Sequence, residues 1–308
     1  MSTLLADRPV VASTPATSLR RLAVIEAKRY ARHPLFVLPA LMCAGLSIGL
    51  PGPDEPDYQV LPAFWLGVLG LVVAARLTRS TDSAAPVMDA APVPVTRRTA
   101  ALLLACLVPA GTAVLMVLLH RATMLANPSP AFHFGANSAL DRQIITLLLP
   151  VVYAAGGPLR GVAVGRWLRC PGAPLLAMVG LLAWVGTCAY LPQSAASSSF
   201  LVRLLHEATP YTAFNYNNGD GEHAITLVTT MPGSPLWFAV WAIALCGLAA
   251  CAALWKGADH AARRQLARAS AGLGAVALVA LALATAGGLD ASQQVDRPGH
   301  TTAVRGEG

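Results

Sequence analysis

Seven stretches of the chain, 34–50, 58–75, 99–119, 144–159, 173–191, 235–255 and 269–286, contain not one Asp, Glu, Lys or Arg. At about 1.5 Å of rise per helical residue, each crosses most or all of a hydrocarbon layer about 30 Å thick. The chain has 308 residues and only 12% of them are charged, where a water-soluble domain is nearer a quarter. Runs such as Leu102-Leu103-Leu104 and Leu181-Leu182-Ala183 lack the in-out alternation of a membrane barrel strand. Helices remain, because they satisfy their own backbone hydrogen bonds in lipid. The predicted fold class is an all-α polytopic membrane protein with seven transmembrane helices, or six if the Ala-rich last stretch does not cross.

The few charges are sorted by loop. Of 22 Lys and Arg, 17 lie in the N-terminal segment and in loops 76–98, 160–172 and 256–268, while ten of the 15 acids lie in the alternate loops and the C-terminal tail. The positive-inside rule then places the N-terminus and those basic loops in the cytoplasm. The net charge of +7 thus speaks for topology and anionic lipid, not for nucleic acid. The first apolar run begins only at Pro34, behind six basic residues, and Pro51-Gly52-Pro53-Asp54 lacks a small-x-small cleavage site, so the first helix is expected to stay as an anchor. Five cysteines sit in apolar stretches and Cys170 in an inner loop, which argues against a disulfide framework or a Cys-x-x-Cys knuckle. Twenty Arg against two Lys, with 58 Ala, has the look of a high-GC bacterial genome.

Residues 1–17 read as a disordered tail. From Ser18 to His33, Leu19, Leu22, Ala23, Ala27 and Tyr30 fall on one helical arc and Arg21, Lys28 and Arg32 opposite, predicting an amphipathic helix in the headgroup layer, with Arg20 and Arg29 among its lipid-facing cations. In loop 76–98, Ser80 to Ala91 predicts a short helix N-capped by Ser80, Thr81 or Asp82 and ended by Pro92 and Pro94. The fourth stretch meets Gly156-Gly157-Pro158 and then Arg160. Either it stops at Leu159 with Arg160 snorkelling at the membrane edge, or it continues to Trp167 with Arg160 in a wet cavity, where Arg160 and Tyr153 become candidate path residues. Gly161-Val-Ala-Val-Gly165 carries small-xxx-small spacing between two arginines. In outer loop 192–234, Phe200, Leu201, Leu204 and Leu205 form a short apolar stripe, followed by a polar turn at Asn217-Asn218-Gly219-Asp220-Gly221 and a semi-apolar piece to Met231. Residues 34–288 make the transmembrane domain and 289–308 a tail.

Chemistry is sparse. Neither lysine stands in a G-x-x-x-x-G-K-[ST] phosphate cradle, and H-E-x-x-H, paired intramembrane acids and G-x-S-x-G are missing, so no catalytic residue and no bound cofactor is expected. His206 and His223 with Glu207, Asp220 and Glu222 lack tight ligand spacing, so no metal is expected either. His120 reads as a headgroup-level cap on the third span.

The basic helix SLRRLAVIEAKRYARHP before span one, the inner loop T-R-S-T-D-S…M-D-A-A-P-V-P-V-T-R-R-T-A-A before span three and the large outer loop ending in PGSPLWFAVW together resemble the membrane subunits of type-2 ABC exporters, over residues 18 to 255. The resemblance implies that Ser18–His33 is an elbow helix and that Ser80–Val95 is a coupling element docked on a separate P-loop ATPase, which would bind the ATP and magnesium. It implies contacts at Asp82, Met88, Asp89, Pro92 and Pro94, flanked by Arg97 and Arg98, with Asp89 standing where the family loop commonly carries Glu. It further implies a homodimer or a second permease, re-entrant outer elements over 196–231, and a bacterial cytoplasmic membrane. A seventh span departs from the family's usual six. The alternative from another class is a non-transporting scaffold or sensor that binds through loop 192–234.

Overall fold

The computed structural model describes residues 15–49, 56–83, 93–126, 138–168, 170–190, 200–209, 215–219, 225–230, 233–287, 291–296 and 300–304. Over the described residues the charge-free stretches, the third divided between two elements, all lie in helices. In chain order these are α1 (Pro15–Ala31), α2 (Pro34–Gly49), α3 (Pro56–Ser83), α4 (Val95–Ala105), α5 (Leu107–Ala126), the short α6 (Ala139–Gln143), a π turn at Ile144–Leu148, α7 (Leu149–Trp167), α8 (Ala173–Tyr190), α9 (Phe200–Glu207), α10 (Pro235–Trp255) and α11 (His260–Ala286). Among the described residues five spans are long and apolar enough to cross a membrane: Val60–Thr81, Val95–Thr123, Ala139–Trp167, Pro235–Trp255 and His260–Ala286. Pro34–Ser47 and Ala173–Cys188 are shorter apolar helices. The chain is an all-α polytopic membrane protein in its helical body.

Proline chemistry sets the interruptions. Pro109 has no N–H for the carbonyl of Ala105, and the third span steps at Cys106, whose N–H turns to Leu103 O at 3.2 Å. Pro150 likewise leaves Thr146 without its helical donor, and the turn before it widens into the π segment. By contrast α7 runs unbroken through Gly156-Gly157-Pro158 to Trp167. Of the two alternatives the stop at Leu159 is overturned and the continuation to Trp167 holds, with Arg160 two turns inside the helix.

The reason is a seam of small residues between α3 and α7. A Cβ on Gly157 would collide with the backbone of Gly67, one on Gly161 with the backbone of Leu71, and one on Gly165 would stand 2.8 Å from the Ala75 carbonyl oxygen. Gly67 in turn lies against the Tyr153 carbonyl, and Gly70 against Pro158. Close backbone approach adds van der Waals contact where lipid offers no hydrophobic drive. The Gly161-x-x-x-Gly165 spacing thus packs two helices of the same chain. Around this seam α3 is the most enclosed helix, with Leu66, Val73, Ala74 and Ala75 almost fully buried. In contrast α11 leaves Leu278 and Val279 more than half exposed, as a lipid-facing helix should.

Contacts at the helix ends define two faces. On one, here the near face, Arg29 of α1 meets Ser80 of α3, Arg79 meets Pro171, and Trp167 of α7 meets Ala252 of α10. On the far face, Thr123 of α5 meets Ser47 of α2, Arg121 meets Thr146, Trp184 of α8 meets Ala208, and Ser234 N–H donates to Ala284 O at 3.0 Å. The last contact brings the end of α11 back to the start of α10. Beyond it, the tail strands β3 (Ala291–Asp296) and β4 (His300–Val304) join β1 (Asn215–Gly219) and β2 (Ile225–Thr230) in one antiparallel sheet of order β1-β2-β3-β4. Ile225 pairs with Asp296 and Thr230 with Ala291. The tail and loop 192–234 therefore share the far face. Asn217, Asn218 and Gly219 belong to β1 and not to the predicted turn, because backbone pairing with Val228, Leu227 and Thr226 uses them.

Candidate functional site

The near face gathers most of the predicted site. Helix α1 starts at Pro15, so residues 15–17 are helical and not part of a disordered tail. Its predicted arc is buried or half-buried, while Arg20, Arg21, Lys28, Arg29 and Arg32 are exposed. The helix does more than float in headgroups. Tyr30 is 1% exposed, packs edge-on against Phe36 at 5.2 Å, and places its hydroxyl against Gly70 of α3. Arg29 holds both carboxylate oxygens of Glu26 at 3.0 Å, which neutralises an otherwise buried acid, and donates to Ser80 Oγ at 2.9 Å. Helix α1 also packs along α4. It therefore spans the two ends of the segment that joins α3 to α4.

The predicted N-cap within that segment is corrected. Ser80 and Thr81 are the last turn of α3, and their hydroxyls donate back to Leu77 O at 2.9 Å. Such back-bonding belongs to a helix interior. Asp82 follows in the same helix, whereas Met88, Asp89, Pro92 and the rest of the predicted coupling helix lie outside the described residues. Pro94 is exposed just before α4 and Arg97 is half-buried. Arg98 is only 6% exposed, turned into the protein.

Two further cations brace this junction. Arg166, near the end of α7, donates from Nη2 to Thr99 Oγ1 at 2.6 Å, and Thr99 donates on to Val95 O at 3.0 Å. Lys256, just past α10, donates to the Arg166 carbonyl. Neither residue was singled out from sequence beyond its loop charge, because the partners are neutral and distant in the chain. Below them opens a groove of about 930 Å³ between α3, α7 and α8, lined by Leu69, Val72, Arg76, Arg79, Arg166, Met178 and Lys256 among others.

Deeper in the bundle Tyr153 and Arg160 do come together. Both line a cavity of about 20 Å³ with Phe64, Val68, Leu181 and Cys246, room for about one water molecule. Helical side chains lean toward the N-terminus, and the Arg160 guanidinium accordingly lies back beside Gly156 and Cys246. Tyr153 stacks edge-on with Phe238 at 6.3 Å. This pair lines a small cavity, not a passage.

On the far face Glu207, which the sequence groups with other loop acids and histidines, is enclosed by the protein. Its side chain is 0% exposed, neither carboxylate oxygen has a hydrogen-bond partner among the described residues, and Gly233 at φ 142° leaves the room that its carboxyl group fills. Burial pushes its pKa well above the ordinary value. Nothing in the local sequence separates it from a solvated loop acid. His120 lies one turn before the end of the Val95–Thr123 span, and at 4% exposure its imidazole is turned into the bundle. Among the described residues no three His, Cys, Asp or Glu side chains converge as metal ligands.

Compared with protein-family models, curated proteins and solved structures, the chain matches none. The site thus rests on its own geometry.

Proposed function

We propose that the chain is the permease subunit of an ATP-driven exporter of the type-2 ABC class, in a bacterial cytoplasmic membrane with the near face toward the cytoplasm. The observation that carries this reading is the bridge that α1 makes between the end of α3 and α4: Arg29 grips Ser80 at one end and the helix packs along α4 at the other. A push on the connection is then delivered to α1, α3 and α4 together. Helix α3 passes it to α7 through the glycine seam, as rigid bodies and not by bending. A separate P-loop ATPase supplies the push, and a second permease copy or partner completes the path, since the Tyr153–Arg160 cavity of one chain is closed.

The test is co-purification with a P-loop ATPase of the host. Replacing 82–94 by a Gly/Ser linker abolishes the complex if the reading is right. Retention of the ATPase by that variant, or the lack of any ATPase partner, removes it.

The sheet on the far face favours a second reading, a scaffold or sensor that does not transport. Loop and tail contribute two strands each to one unit, and an extracytoplasmic binding module would look like this. Deleting 291–304 separates the two: a sensor loses its binding partner, while a permease keeps its ATPase.

A further inference from the structure

The groove on the near face is amphipathic along its depth. Arg76 and Arg79 lie in the last two turns of α3 before Ser80, Arg166 closes α7, and Lys256 follows α10. Going inward, the same groove is walled by Leu69, Val72, Leu175 and Met178. At about 1.5 Å per residue, Leu69 lies roughly 15 Å deeper than Arg79 along α3, which is acyl-chain depth if the cations mark the headgroup layer. Among the described residues that line it none is acidic. Arg76 is exposed and, like Lys256, forms no ion pair with a described residue. The field of Arg76 is felt at His33 beside Leu35 of the groove, where burial first and Arg76 second hold the imidazole below its ordinary 6.5.

We propose that this groove is a binding site for one anionic phospholipid of the near leaflet, its phosphate between Arg76, Arg79 and Lys256 and an acyl chain along Val72, Leu175 and Met178. Charge complementarity selects the headgroup, because basic pockets between membrane helices gather anionic lipid. The apolar wall selects a lipid over a soluble anion. A volume of about 930 Å³ falls in the range of built ligand sites, about 300–1,000 Å³. The site does not depend on whether the chain transports anything.

The full chain, purified in detergent, is offered equal amounts of phosphatidylglycerol and phosphatidylcholine with the same acyl chains, and retained lipid is counted by native mass spectrometry. Phosphatidylglycerol is expected to be retained at least tenfold over phosphatidylcholine. Arg76→Gln, at an exposed position that leaves the fold intact, should cut that preference about fivefold, the factor that roughly 1 kcal/mol per surface cation implies. Arg76→Gln with Lys256→Gln should abolish it. Arg263→Gln with Arg264→Gln, which removes two exposed cations of α11 outside the groove, should leave it unchanged. Three results overturn the assignment: equal retention of the two lipids; equal loss in the α11 variant, which makes the preference one of net charge; or displacement of the lipid by millimolar inorganic phosphate, which makes the groove a soluble-anion site.

Discussion

The carbonyl oxygen of Gly67 stands where a Cβ on Gly157 would have to be. Two backbones meet there inside the bundle, and neither has a flexible side chain that yields. Gly157→Ala is expected to cost about 1–3 kcal/mol of stability through overpacking, read as a lower unfolding midpoint in detergent. Gly180→Ala tests the opposite sign. It lies in α8 with nothing within 4 Å of its would-be Cβ, so the gain in helix propensity, up to about 1 kcal/mol, should raise the midpoint. Equal midpoints for the two variants would remove the seam as the packing element of α3 and α7.

What the sequence disclosed and what it hid both follow from the range of the forces involved. Charge exclusion is local to each crossing segment, so α10 occupies 235–255 and the fifth stretch, 173–191, becomes Ala173–Tyr190. Asp259 caps α11 by accepting from Ala262 N–H at 2.8 Å, which lengthens that helix well before its charge-free part begins. Period-four glycines were visible at Gly161 and Gly165, but their partner helix was not, because the matching residues sit some 90 positions earlier. The burial of Glu207 is hidden for the same reason: Gly233, against which its carboxyl group packs, lies 26 residues further along the chain. The sheet needed pairing between a loop and a tail about 65 residues apart, and composition carries no register of that kind.

Tyr30 offers a test of the anchored helix α1. Its ring is buried among Phe36, Gly70 and Pro158, while its hydroxyl finds no hydrogen-bond partner among the described residues. Tyr30→Phe keeps the ring and removes an unsatisfied polar atom, so the midpoint should stay or rise, by up to about 1 kcal/mol. Tyr30→Ala opens a cavity and should cost about 3–5 kcal/mol. If the alanine variant is as stable as the parent, α1 lies on the bilayer and is not keyed into the bundle.

The Arg166–Thr99 bond ties α7 to α4 across the near face at 2.6 Å, with Arg166 only 5% exposed. Thr99→Val keeps the shape and removes the acceptor from a buried cation, a loss of about 1.5–3 kcal/mol. Thr99→Ser keeps the oxygen and should recover most of it. Thermal unfolding of the three proteins decides: valine and serine variants with the same midpoint would show that the hydroxyl does not carry the contact.

Sidedness follows from two points on opposite faces. Cys170 is exposed beside the near-face end of α7, and the tail strands pair with β2 on the far face. With the near face cytoplasmic, a membrane-impermeant maleimide leaves Cys170 untouched in intact cells and labels it in opened cells. An epitope after Gly308 is reached by antibody without opening them. Both markers on one side would remove the crossing of α11.

Glu207 predicts a pH dependence with a definite sign. Its carboxyl group is fully enclosed against Gly233, and burial raises its pKa from an ordinary value near 4.5. Below about 4.5 the folded and unfolded chains are both protonated at this residue, and its burial costs nothing in charge. Above that value the unfolded chain loses the proton while the folded chain keeps it, so the folded state binds more protons and stability falls as pH rises. The slope from one proton is at most about 1.4 kcal/mol per pH unit, and it ends once the raised folded-state value is passed. Glu207→Gln mimics the protonated acid at every pH and removes this term. The unfolding midpoints of parent and variant should therefore agree below pH 4.5 and separate as the pH rises above it, the glutamine variant being the more stable. Parallel curves would mean that Glu207 titrates alike in both states, and a parent that gains on the variant with rising pH would mean that the carboxylate is charged and paired on the far face.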